Sequence, residues 1–370
     1  MNFEFSEEQD LLREQARRFL RDQCPPSVVR KVLEGEDSFD RELWGNIAEM
    51  GWTATVIPEE YEGLGLSYLE LSVIAEELGR AIAPVPFSSS AYLASEALLL
   101  AGSEEQKQAY LPGLAAGTMI GCLAVSEDPG EADADNFEAT VSSGKLNGIK
   151  LPVADGDIAD FAVVAAKAQC GIGASLYLVD LSDTTRESLK TIDPSRSHAK
   201  LIFNDAGAEP LGEDGKGRAL LQQLYNRAAV LFAWEQVGGA DTCLDQAKEY
   251  ALGRFAFGRP IASFQAIKHK LANMYVKNTL ARSNCYYGAW ALSTDADELP
   301  VAAATARVSA IQAYYFASKE NIQTHGGMGF TWEFDCHFAY RRSKLLATNI
   351  GSEAIWQEKL ITAIEKQRAA

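Results

Sequence analysis

Apolar residues recur at helical spacing through the first third of the chain. Ser6 and Gln9 have the spacing of a capping box at the start of the first helix. The apolar stripe that follows on one face of that helix consists of Leu11, Leu12, Ala16, Phe19 and Leu20. The same period returns over residues 40–50 and 68–82. We therefore predict an N-terminal helical domain over residues 1–118.

The pattern changes near residue 119. Short apolar runs now alternate with glycine, aspartate and serine turns, without helical runs between them: 120–125, 137–141, 161–165, 175–179 and 199–203. They predict a central β-domain over 119–217, an antiparallel sheet or small barrel. Long helical patterns then return, which predict a C-terminal bundle of the four-helix type over 218–370. The predicted fold class is α+β.

Composition and charge narrow the function classes. The 370 residues are 47% hydrophobic and 23% charged, which excludes a disordered chain. The formal charge of −17 argues against nucleic acid and an anionic membrane as partners, because both bind Lys and Arg patches. The acidic N-terminus does not resemble a signal peptide, and no apolar run reaches the ~18 residues of a membrane span. We expect a cytoplasmic protein.

The motifs of several other enzyme classes are missing from the sequence. Gly171-Ile172-Gly173 lacks the third glycine of a dinucleotide-binding fingerprint. The histidines have no metal-ligand spacing, and neither a phosphate loop nor a nucleophile elbow occurs. The six cysteines form no CxxC pair and are expected as small buried hydrophobes: Cys24, Cys122, Cys170, Cys243, Cys285 and Cys336. We predict no metal site.

Two glycine-containing segments near the C-terminus carry more specific chemistry. Residues 250–261 place Arg254 and several aromatic residues at a helix end that Gly-Arg-Pro interrupts. Residues 323–330 place three glycines directly after a long helix. Each segment alone is explained by helix capping. Glycine also allows a backbone to approach a flat or anionic ligand closely.

In this order, and after a β-domain, the two segments resemble the RxxFG and QxxGGxGF motifs of the acyl-CoA dehydrogenase family. Residues 57–65 resemble its VPExYGGxG loop, 110–112 its YLPxLxxG stretch, 125–127 its V-T-E strand, and 148–150 the start of its GxKxWITN strand. The resemblance spans essentially the whole chain. It implies an FAD enzyme that desaturates an acyl-CoA thioester, removing an α-proton while a β-hydride moves to the flavin.

The resemblance also implies which residues bind the cofactor. The family shares FAD across a subunit interface, and its two C-terminal motifs hold the ADP half. The residues at the matching or adjoining positions here are Arg254, Phe257, Phe264, Gln265, Gln323, Gly326 and Gly327. Of these, Arg254 can pair with the pyrophosphate and Phe257 offers an apolar face, while the glycines leave room for the backbone to approach.

The half that binds the flavin ring departs from the family pattern. Ser126 matches the threonine of the V-T-E strand, and its hydroxyl can still bond the flavin. Pro152 stands where the family has a stacking tryptophan, and Ala154 where it has a threonine. Proline also removes a backbone donor. Ring binding by the chain's own β-domain is therefore weakened.

Neither family position for the catalytic base carries a carboxylate. One position is Ile350, before Gly351 and Ser352; the other is Ala228, with Ala229 at the adjoining arginine position. The reaction needs a carboxylate within reach of the α-proton. No catalytic residue is therefore assigned.

Three functions remain open from the sequence. In the first, the chain is the base-lacking subunit of an α2β2 hetero-oligomer with a catalytic paralogue, and in this it is similar to the steroid side-chain acyl-CoA dehydrogenases. Alternatively, it is a homo-oligomeric dehydrogenase with a displaced base, for which Glu353 and Glu235 are the nearest candidates, although a helical glutamate is usually solvated. The third alternative is a non-catalytic acyl-CoA-binding or scaffolding member. The resemblance implies an electron-transfer flavoprotein as the electron acceptor.

Arg341, Arg342 and Lys344 form a basic cluster on this acidic chain, where the family has R-D-A-K. The cluster fits either a CoA phosphate or helix-end electrostatics. Trp332 and Phe334, which follow the glycines, are expected to be interface or core aromatics.

Overall fold

Helices occupy both ends of the chain and a sheet occupies its middle, as the hydrophobic pattern predicts. The structure is a computed structural model that describes residues 5–35, 37–129, 137–169, 171 and 173–369. Cys170, Ile172 and the first four residues, which entered the predictions above, lie outside these ranges. The predicted fold class, α+β, is confirmed.

The helices of the described residues fall into two groups along the chain. Before the sheet lie α1 (Glu7–Gln23), α2 (Pro26–Glu34), α3 (Arg41–Glu49), α4 (Tyr68–Ala81), α5 (Ser95–Ala101) and α6 (Glu104–Ala115). A π-helix over Ser88–Ala94 leads directly into α5. After the sheet lie α7 (Gly217–Gly253), α8 (Gln265–Ser293), α9 (Leu299–His325), α10 (Cys336–Leu346) and α11 (Glu353–Ala369).

Local sequence explains where the first helices begin. The Ser6 hydroxyl accepts a hydrogen bond from the Gln9 backbone N–H at 3.2 Å, and the Gln9 side chain accepts one from the Ser6 N–H at 2.9 Å. The predicted capping box is thus confirmed. The Asp40 carboxylate accepts from the Leu43 N–H at 2.8 Å and begins α3 in the same way.

The middle of the chain forms one sheet. Its strands are β1 (Gly121–Ala124), β2 (Thr140–Ser142), β3 (Lys145–Ala154), β4 (Phe161–Lys167), β5 (Ala174–Asp180), β6 (Thr185–Ser188), β7 (His198–Gly207) and β8 (Glu209–Leu211). The order is β6-β7-β3-β2-β4-β5-β8, with β1 on β4. The strands β9 (Phe255–Ala256) and β10 (Arg259–Pro260) form a separate hairpin after α7.

Most strand pairs are antiparallel, but two are parallel. β1 runs parallel to β4, with Gly121 opposite Phe161, and β2 meets β4 in parallel at Thr140 and Lys167. The predicted antiparallel character is thus confirmed for most of the sheet, and the two parallel pairs on β4 depart from it. The connection from β1 to β4 contains β2 and β3, so it is long enough to return the chain in the same direction. Among the described strands the order does not close into a barrel.

Contacts group the chain into two compact units. The helical unit contains Met1–Val29, Tyr68–Ala83 and Ala229–Ala370, and the sheet unit contains Arg30–Ser67 and Pro84–Ala228. The bounds of the three domains predicted from the sequence stay predictions.

Two glycines allow α4 and α7 to touch backbone to backbone in the helical unit. A Cβ atom on Gly79 would lie 1.9 Å from the carbonyl oxygen of Glu235, and one on Gly238 would lie 1.9 Å from that of Glu76. No side chain fits at either point, so the helices can only pack this closely with glycine there. Both glutamates are consequently buried in the helix pair, each 1% exposed.

Glu76 lies among guanidinium groups of the helical unit. Its carboxylate is 2.8 Å from Arg282, 3.4 Å from Arg13 and 3.8 Å from Arg80. Arg282 and Arg80 also contact Asp241, at 2.5 and 3.2 Å. Burial acts to raise the pKa of Glu76, but the guanidinium groups outweigh it and hold that pKa below its usual range.

The substitution Glu76→Gln is expected to lower the free energy of unfolding at pH 7 by about 3–5 kcal/mol, because it removes the buried carboxylate that three largely enclosed guanidinium groups share. The pKa of Glu76 is lowered on folding, so its contribution to stability is present above the unfolded value of ~4.3 and is lost as the pH falls through the folded value. Denaturant unfolding at pH 7 and below pH 4 should show the difference from wild type shrinking in acid.

Glu14→Gln, at an exposed position of α1, is the matched control and should change the stability by less than about 0.5 kcal/mol. Equal unfolding free energies of Glu76→Gln and wild type at pH 7 would contradict the proposed role of the cluster.

Candidate functional site

An aromatic-tipped hairpin follows α7. The loop between β9 and β10 consists of Phe257 and Gly258, whose φ angles of 53° and 77° are both positive, as in a type I′ turn. Such a φ suits glycine and is unfavourable for phenylalanine. The Phe257 side chain is nevertheless 95% exposed. Arg254, also exposed, closes the base of the hairpin by accepting a hydrogen bond from the Ile261 N–H at 2.8 Å.

A glycine turn follows α9. Gly326 has φ 62° and ψ −137°, a conformation that requires glycine. A Cβ on Gly329 would lie 2.5 Å from the Ile322 carbonyl oxygen, so that glycine is required by close packing. A Cβ on Gly326 or Gly327 would meet no atom within 4 Å. The backbone at these two residues is therefore open to an approaching group, and Gln323 is exposed beside it.

An aromatic stack joins the hairpin to the glycine turn. The Tyr250 and His325 rings stack with centroids 4.1 Å apart, and Phe334 stands near edge-on to Tyr250 at 5.7 Å and against His325 at 5.4 Å. One helical turn earlier, the Asn321 amide donates to Gln246 Oε1 at 2.8 Å. Burial lowers the pKa of His325, so the stacked ring is neutral at pH 7. These contacts hold the two motif segments side by side.

The start of α8 adds positive potential to the same region. Phe264 precedes the helix without a capping side chain, and no acidic residue lies in the first turn. Gln265 is the exposed first residue, and the Arg259 guanidinium lies 4.1 Å from the centroid of the Phe264 ring. The uncapped N–H groups and the helix dipole favour an anion here.

The structure thus brings the residues implied in ADP binding onto three adjoining segments of the helical unit. They lie on the hairpin, at the start of α8 and in the turn after α9: Arg254, Phe257, Phe264, Gln265, Gln323, Gly326 and Gly327. Exposed guanidinium groups, a helix N-terminus, an aromatic face and open backbone together fit a diphosphate joined to a flat ring. These residues fit the ADP half of FAD.

The sheet unit holds Ser126 beside β3. The Ser126 carbonyl accepts a hydrogen bond from the Leu151 N–H at 2.9 Å. Next to it, the buried Lys150 ammonium donates to the Val125 carbonyl at 2.9 Å and to the Glu127 carboxylate at 2.8 Å. Burial lowers the pKa of Lys150 to about 8, although Glu127 opposes the shift. This network fixes the backbone on both sides of Ser126.

The end of β3 offers little to a flavin ring. The register with β7 shifts between Lys150 and Val153, and Pro152 is exposed within that irregular stretch. Ala154 is half-buried. Pro152 supplies neither an aromatic face nor an N–H, and Ala154 has no hydroxyl. These two positions do not fit the ring half of FAD.

Asp155, directly after β3, belongs to a buried polar group that sequence reasoning missed. Its carboxylate accepts from the Ser89 hydroxyl at 2.6 Å and from the Ser197 hydroxyl at 3.3 Å. Burial raises the pKa of Asp155, with Arg196 opposing. The hydrogen bonds tie the end of β3 to the π-helix and to the segment before β7.

The two usual base positions hold buried alkyl side chains. Ala228 is fully buried in α7 of the sheet unit, and Ile350 is buried between α10 and α11 of the helical unit. The Ile350 carbonyl accepts from the Trp356 indole N–H at 3.2 Å. Neither side chain can take a proton.

Glu235 is held by an arginine rather than solvated. Its carboxylate lies 3.6 Å from Arg342, which also donates to the Ile82 and Ala83 carbonyls at 3.4 Å. Arg342 is fully buried. The expectation of a solvated glutamate is therefore wrong for Glu235, since the α4–α7 contact encloses it. A surface role towards a CoA phosphate is likewise wrong for Arg342.

The other displaced-base candidate, Glu353, lies at the start of α11. Its carboxylate accepts from the Gln312 amide at 2.7 Å and from the Gln357 amide at 3.0 Å. The side chain is half-buried. These contacts give Glu353 a role in joining α9 to α11.

Arg307 is a further residue that sequence reasoning missed. Its guanidinium is fully buried, donates to Gln236 at 2.6 Å and to the Leu346 carbonyl, and lies 5.6 Å from the Phe232 ring. Burial lowers the pKa of Arg307 to about 9, which leaves it cationic at pH 7. It anchors the end of α10, just before Ile350. The sequence signal that could have identified Arg307 is that it is the one arginine in the alanine-rich helix α9.

The described ranges contain neither a candidate metal site nor a candidate membrane span. No group of His, Cys, Asp and Glu side chains there could hold a metal ion. No helix in those ranges is both long and apolar enough to cross a membrane. The cysteines that the structure describes are buried free thiols: Cys24, Cys122, Cys243, Cys285 and Cys336.

Comparison with known proteins gives consistent matches. The N-terminal domain model of acyl-CoA dehydrogenases matches residues 6–118, and the C-terminal domain model matches residues 215–364. Acyl-CoA dehydrogenase IpdE2 of Mycobacterium tuberculosis is 34% identical over 340 residues, which cover 91% of each chain.

Two solved structures have the same fold as this chain. The ChsE4–ChsE5 complex from Mycobacterium tuberculosis matches with TM-score 0.89 and 26% identity over 99% of both chains. A variant of the Tcur3481–Tcur3483 steroid acyl-CoA dehydrogenase matches with TM-score 0.89 and 26% identity over 98% of this chain and 99% of that one. The chain therefore belongs to the acyl-CoA dehydrogenase family, whose cofactor is FAD.

Proposed function

We propose that this chain is the base-lacking subunit of a hetero-oligomeric acyl-CoA dehydrogenase. In this assembly it holds the ADP half of FAD, while a paralogous subunit supplies the ring support and the catalytic carboxylate. When bound, FAD accepts the hydride from the β-carbon of the acyl-CoA thioester. The likeness to a steroid acyl-CoA dehydrogenase favours a steroid-derived acyl group. We expect an electron-transfer flavoprotein as the electron acceptor and the cytoplasm as the location.

One contrast carries the proposal. The surface that fits ADP has exposed cationic and aromatic groups, whereas the base positions Ile350 and Ala228 hold buried alkyl groups. A chain that catalysed the reaction alone would need a carboxylate at one of them or nearby. The nearby Glu235 is paired with the buried Arg342, which holds it in the core.

Two exposed features support a cofactor shared with another chain. Phe257 has an unfavourable positive φ and a 95% exposed ring, whose aromatic contact is an edge-on one with Phe264 at 6.3 Å, so most of the ring is open to a contact outside the chain. Gly327 has open space around the Cβ position, so packing within the chain does not require glycine there. A ligand that packs against the Phe257 ring and approaches the Gly327 backbone would account for both features.

The residues of this chain would act by binding and orienting the cofactor. Arg254 would pair with a diphosphate oxygen through a charge-assisted hydrogen bond, next to the N-terminus of α8. On the sheet unit, Ser126 could donate one hydrogen bond, but Pro152 and Ala154 provide neither stacking nor a second hydroxyl. No side chain of this chain is assigned a proton-transfer step.

The chain purified alone is expected to contain far less than one FAD per protein, because its ring-binding positions lack the stacking and hydroxyl groups. Co-expression with a paralogue that has Glu at the position of Ile350 and Trp at that of Pro152 should restore stoichiometric flavin. Visible absorbance of the denatured protein measures the cofactor content. A stoichiometrically yellow chain whose colour acyl-CoA bleaches without a partner would overturn the proposal. A complex that binds acyl-CoA without turnover would favour the scaffolding function.

Arg254→Ala is expected to raise the dissociation constant for FAD in the complex by about 10- to 100-fold, the effect of one charged hydrogen bond of ~1.5–3 kcal/mol. Arg254→Lys keeps the charge but loses the planar fork, so its effect should be intermediate. Titration of the apo-complex with FAD, followed by flavin fluorescence, gives the constants. Arg368→Ala, at an exposed arginine of α11, is the control and should leave FAD binding unchanged.

Glu353→Gln is expected to leave kcat of the complex within about twofold, because the glutamine can still contact Gln312 and Gln357 and the base lies on the partner. Steady-state oxidation of an acyl-CoA by the complex provides the measurement. A loss of about 10²–10⁴-fold, the usual contribution of a general base, would identify Glu353 as a displaced base and favour the homo-oligomeric alternative.

A further inference from the structure

Four side chains connect the C-terminal ends of α7 and α9 as a ladder of two rungs. The lower rung is the hydrogen bond from the Asn321 amide to Gln246 Oε1 at 2.8 Å. The upper rung is the stack of the His325 ring on the Tyr250 ring, with centroids 4.1 Å apart and an interplanar angle of 29°. On each helix the two members are four residues apart, so they lie on one face. We call these four residues the ladder.

The upper rung is held in place from several sides. His325 Nδ1 lies 2.9 Å from the Asn321 carbonyl oxygen. Because a carbonyl oxygen can only accept, the hydrogen of the neutral ring lies on Nδ1, and this bond fixes the imidazole plane and connects the two rungs. Phe334 stands edge-on to Tyr250 with an interplanar angle of 89°, and His325 is 6% exposed. The imidazole is thus enclosed, and it can influence a ligand only through the groups that it holds.

The ladder ends where the two cofactor segments begin. The Arg254 N–H donates to the Tyr250 carbonyl at 2.8 Å, so the Arg254 backbone is tied to the upper rung. On the other helix, Gly326 follows His325 directly as the C-cap of α9. The stack of the two rings therefore fixes where the hairpin segment begins relative to the open backbone of Gly326 and Gly327.

Contacts further down the two helices fix them independently of the upper rung. A Cβ on Gly239 would lie 2.4 Å from Cζ of the Tyr314 ring, so this glycine lets the tyrosine pack directly on the α7 backbone. Gly239 precedes Tyr250 on α7 by about three helical turns. Loss of the upper rung is therefore expected to leave the helix pair folded and to release the helix ends alone.

A diphosphate joined to a flat ring is bound best by groups that already stand at the right separation. The exposed Arg254 offers a charged donor on one segment, and Gly326 and Gly327 offer open backbone on the other. Groups that are held in place before the ligand arrives lose less conformational entropy on binding, which raises the affinity. Two exposed segments at separate helix ends need a buried contact to hold them in this way. The upper rung is such a contact.

We propose that Tyr250 and His325 are positioning residues for the nucleotide part of the cofactor. Their stacked rings fix the separation of Arg254 from the backbone of Gly326 and Gly327, and thereby set the affinity of this chain for an adenine nucleotide diphosphate. This inference rests on the ADP-binding role in the proposed function, and it adds two residues at positions where the two family motifs specify no residue type. The rings contribute flat faces, so another aromatic ring is expected to replace either of them, whereas alanine is not.

The first experiment measures the binding of ADP-ribose to the chain alone by isothermal titration calorimetry. ADP-ribose carries the adenine and the diphosphate of FAD without the flavin, so its binding reports on this half of the site. His325→Ala and Tyr250→Ala should each raise the dissociation constant at least about tenfold, because the two segments lose their fixed separation. His325→Phe and Tyr250→Phe keep a flat ring and should stay within about twofold of wild type. Tyr275→Ala, at a tyrosine of α8 that is 63% exposed, is the matched control and should have no effect.

The second experiment is a double-mutant cycle between His325 and Arg254, measured as FAD binding to the apo-complex with the paralogue defined above. If His325 acts by placing Arg254, then His325→Ala should cost less than about twofold once Arg254 has been replaced by alanine. A purely structural role of His325 predicts instead that the two effects multiply. Circular dichroism and the thermal midpoint establish that every variant is folded.

The inference and the proposed function fail in different ways. Folded His325→Ala that binds ADP-ribose as wild type does, His325→Phe that is as weak as His325→Ala, or multiplied effects in the cycle would each overturn the positioning role alone. A wild-type chain that binds no ADP-ribose would overturn it together with the ADP-binding role. A chain that binds ADP-ribose with the expected pattern, but forms no flavin-containing complex that oxidises acyl-CoA, would refute the hetero-oligomeric dehydrogenase and leave the positioning role in place.

Discussion

The backbone contact between α4 and α7 is the constraint on which the helical unit depends. Gly79 and Gly238 allow the two helices to meet with no side chain between them, and the contact encloses Glu76 and Glu235. A buried carboxylate is costly unless a cation lies beside it. The guanidinium groups of Arg13, Arg80 and Arg282 surround Glu76, and Arg342 lies against Glu235. The ionic interior of this unit therefore follows from the close approach of two helices.

This constraint bears on the chemistry. A general base must reach the substrate and exchange its proton, whereas the Glu235 carboxylate is 1% exposed and lies 3.6 Å from the buried Arg342 guanidinium. Glu235 therefore has a structural role as the partner of Arg342. Its position on α7 had made it a candidate catalytic base from the sequence. The aromatic stack of Tyr250 and His325 has a different consequence, because it holds the hairpin and the glycine turn together without using any cofactor-facing side chain. The contacts that hold these two segments together therefore do not depend on a carboxylate at Ile350 or Ala228.

Local signals made the first level of structure predictable. The capping box at Ser6 depends on residues three apart, and the helices depend on periodicity, so both can be read from a short stretch of sequence. The glycine motifs located the candidate cofactor segments for the same reason. Contacts between distant residues could not be predicted: Tyr250 against His325, the burial of Glu235 by α4, and the parallel pairing of β1 with β4. These depend on which faces of the elements meet, and one sequence does not contain that information.

The positions that match the family motifs and those that depart from them lie in different segments of the chain. At the hairpin the matching residues include Phe257, whose ring is 95% exposed and meets Phe264 edge-on. Residues that would serve the chain's own flavin ring and substrate are replaced, as at Pro152 and Ile350. General loss of function would leave exposed aromatics and strained turns without a purpose, and substitution would remove them because they cost stability. The proposed partner subunit would account for both halves of this pattern, since it would use the segments that match the family motifs and would supply the groups at the positions that depart from them.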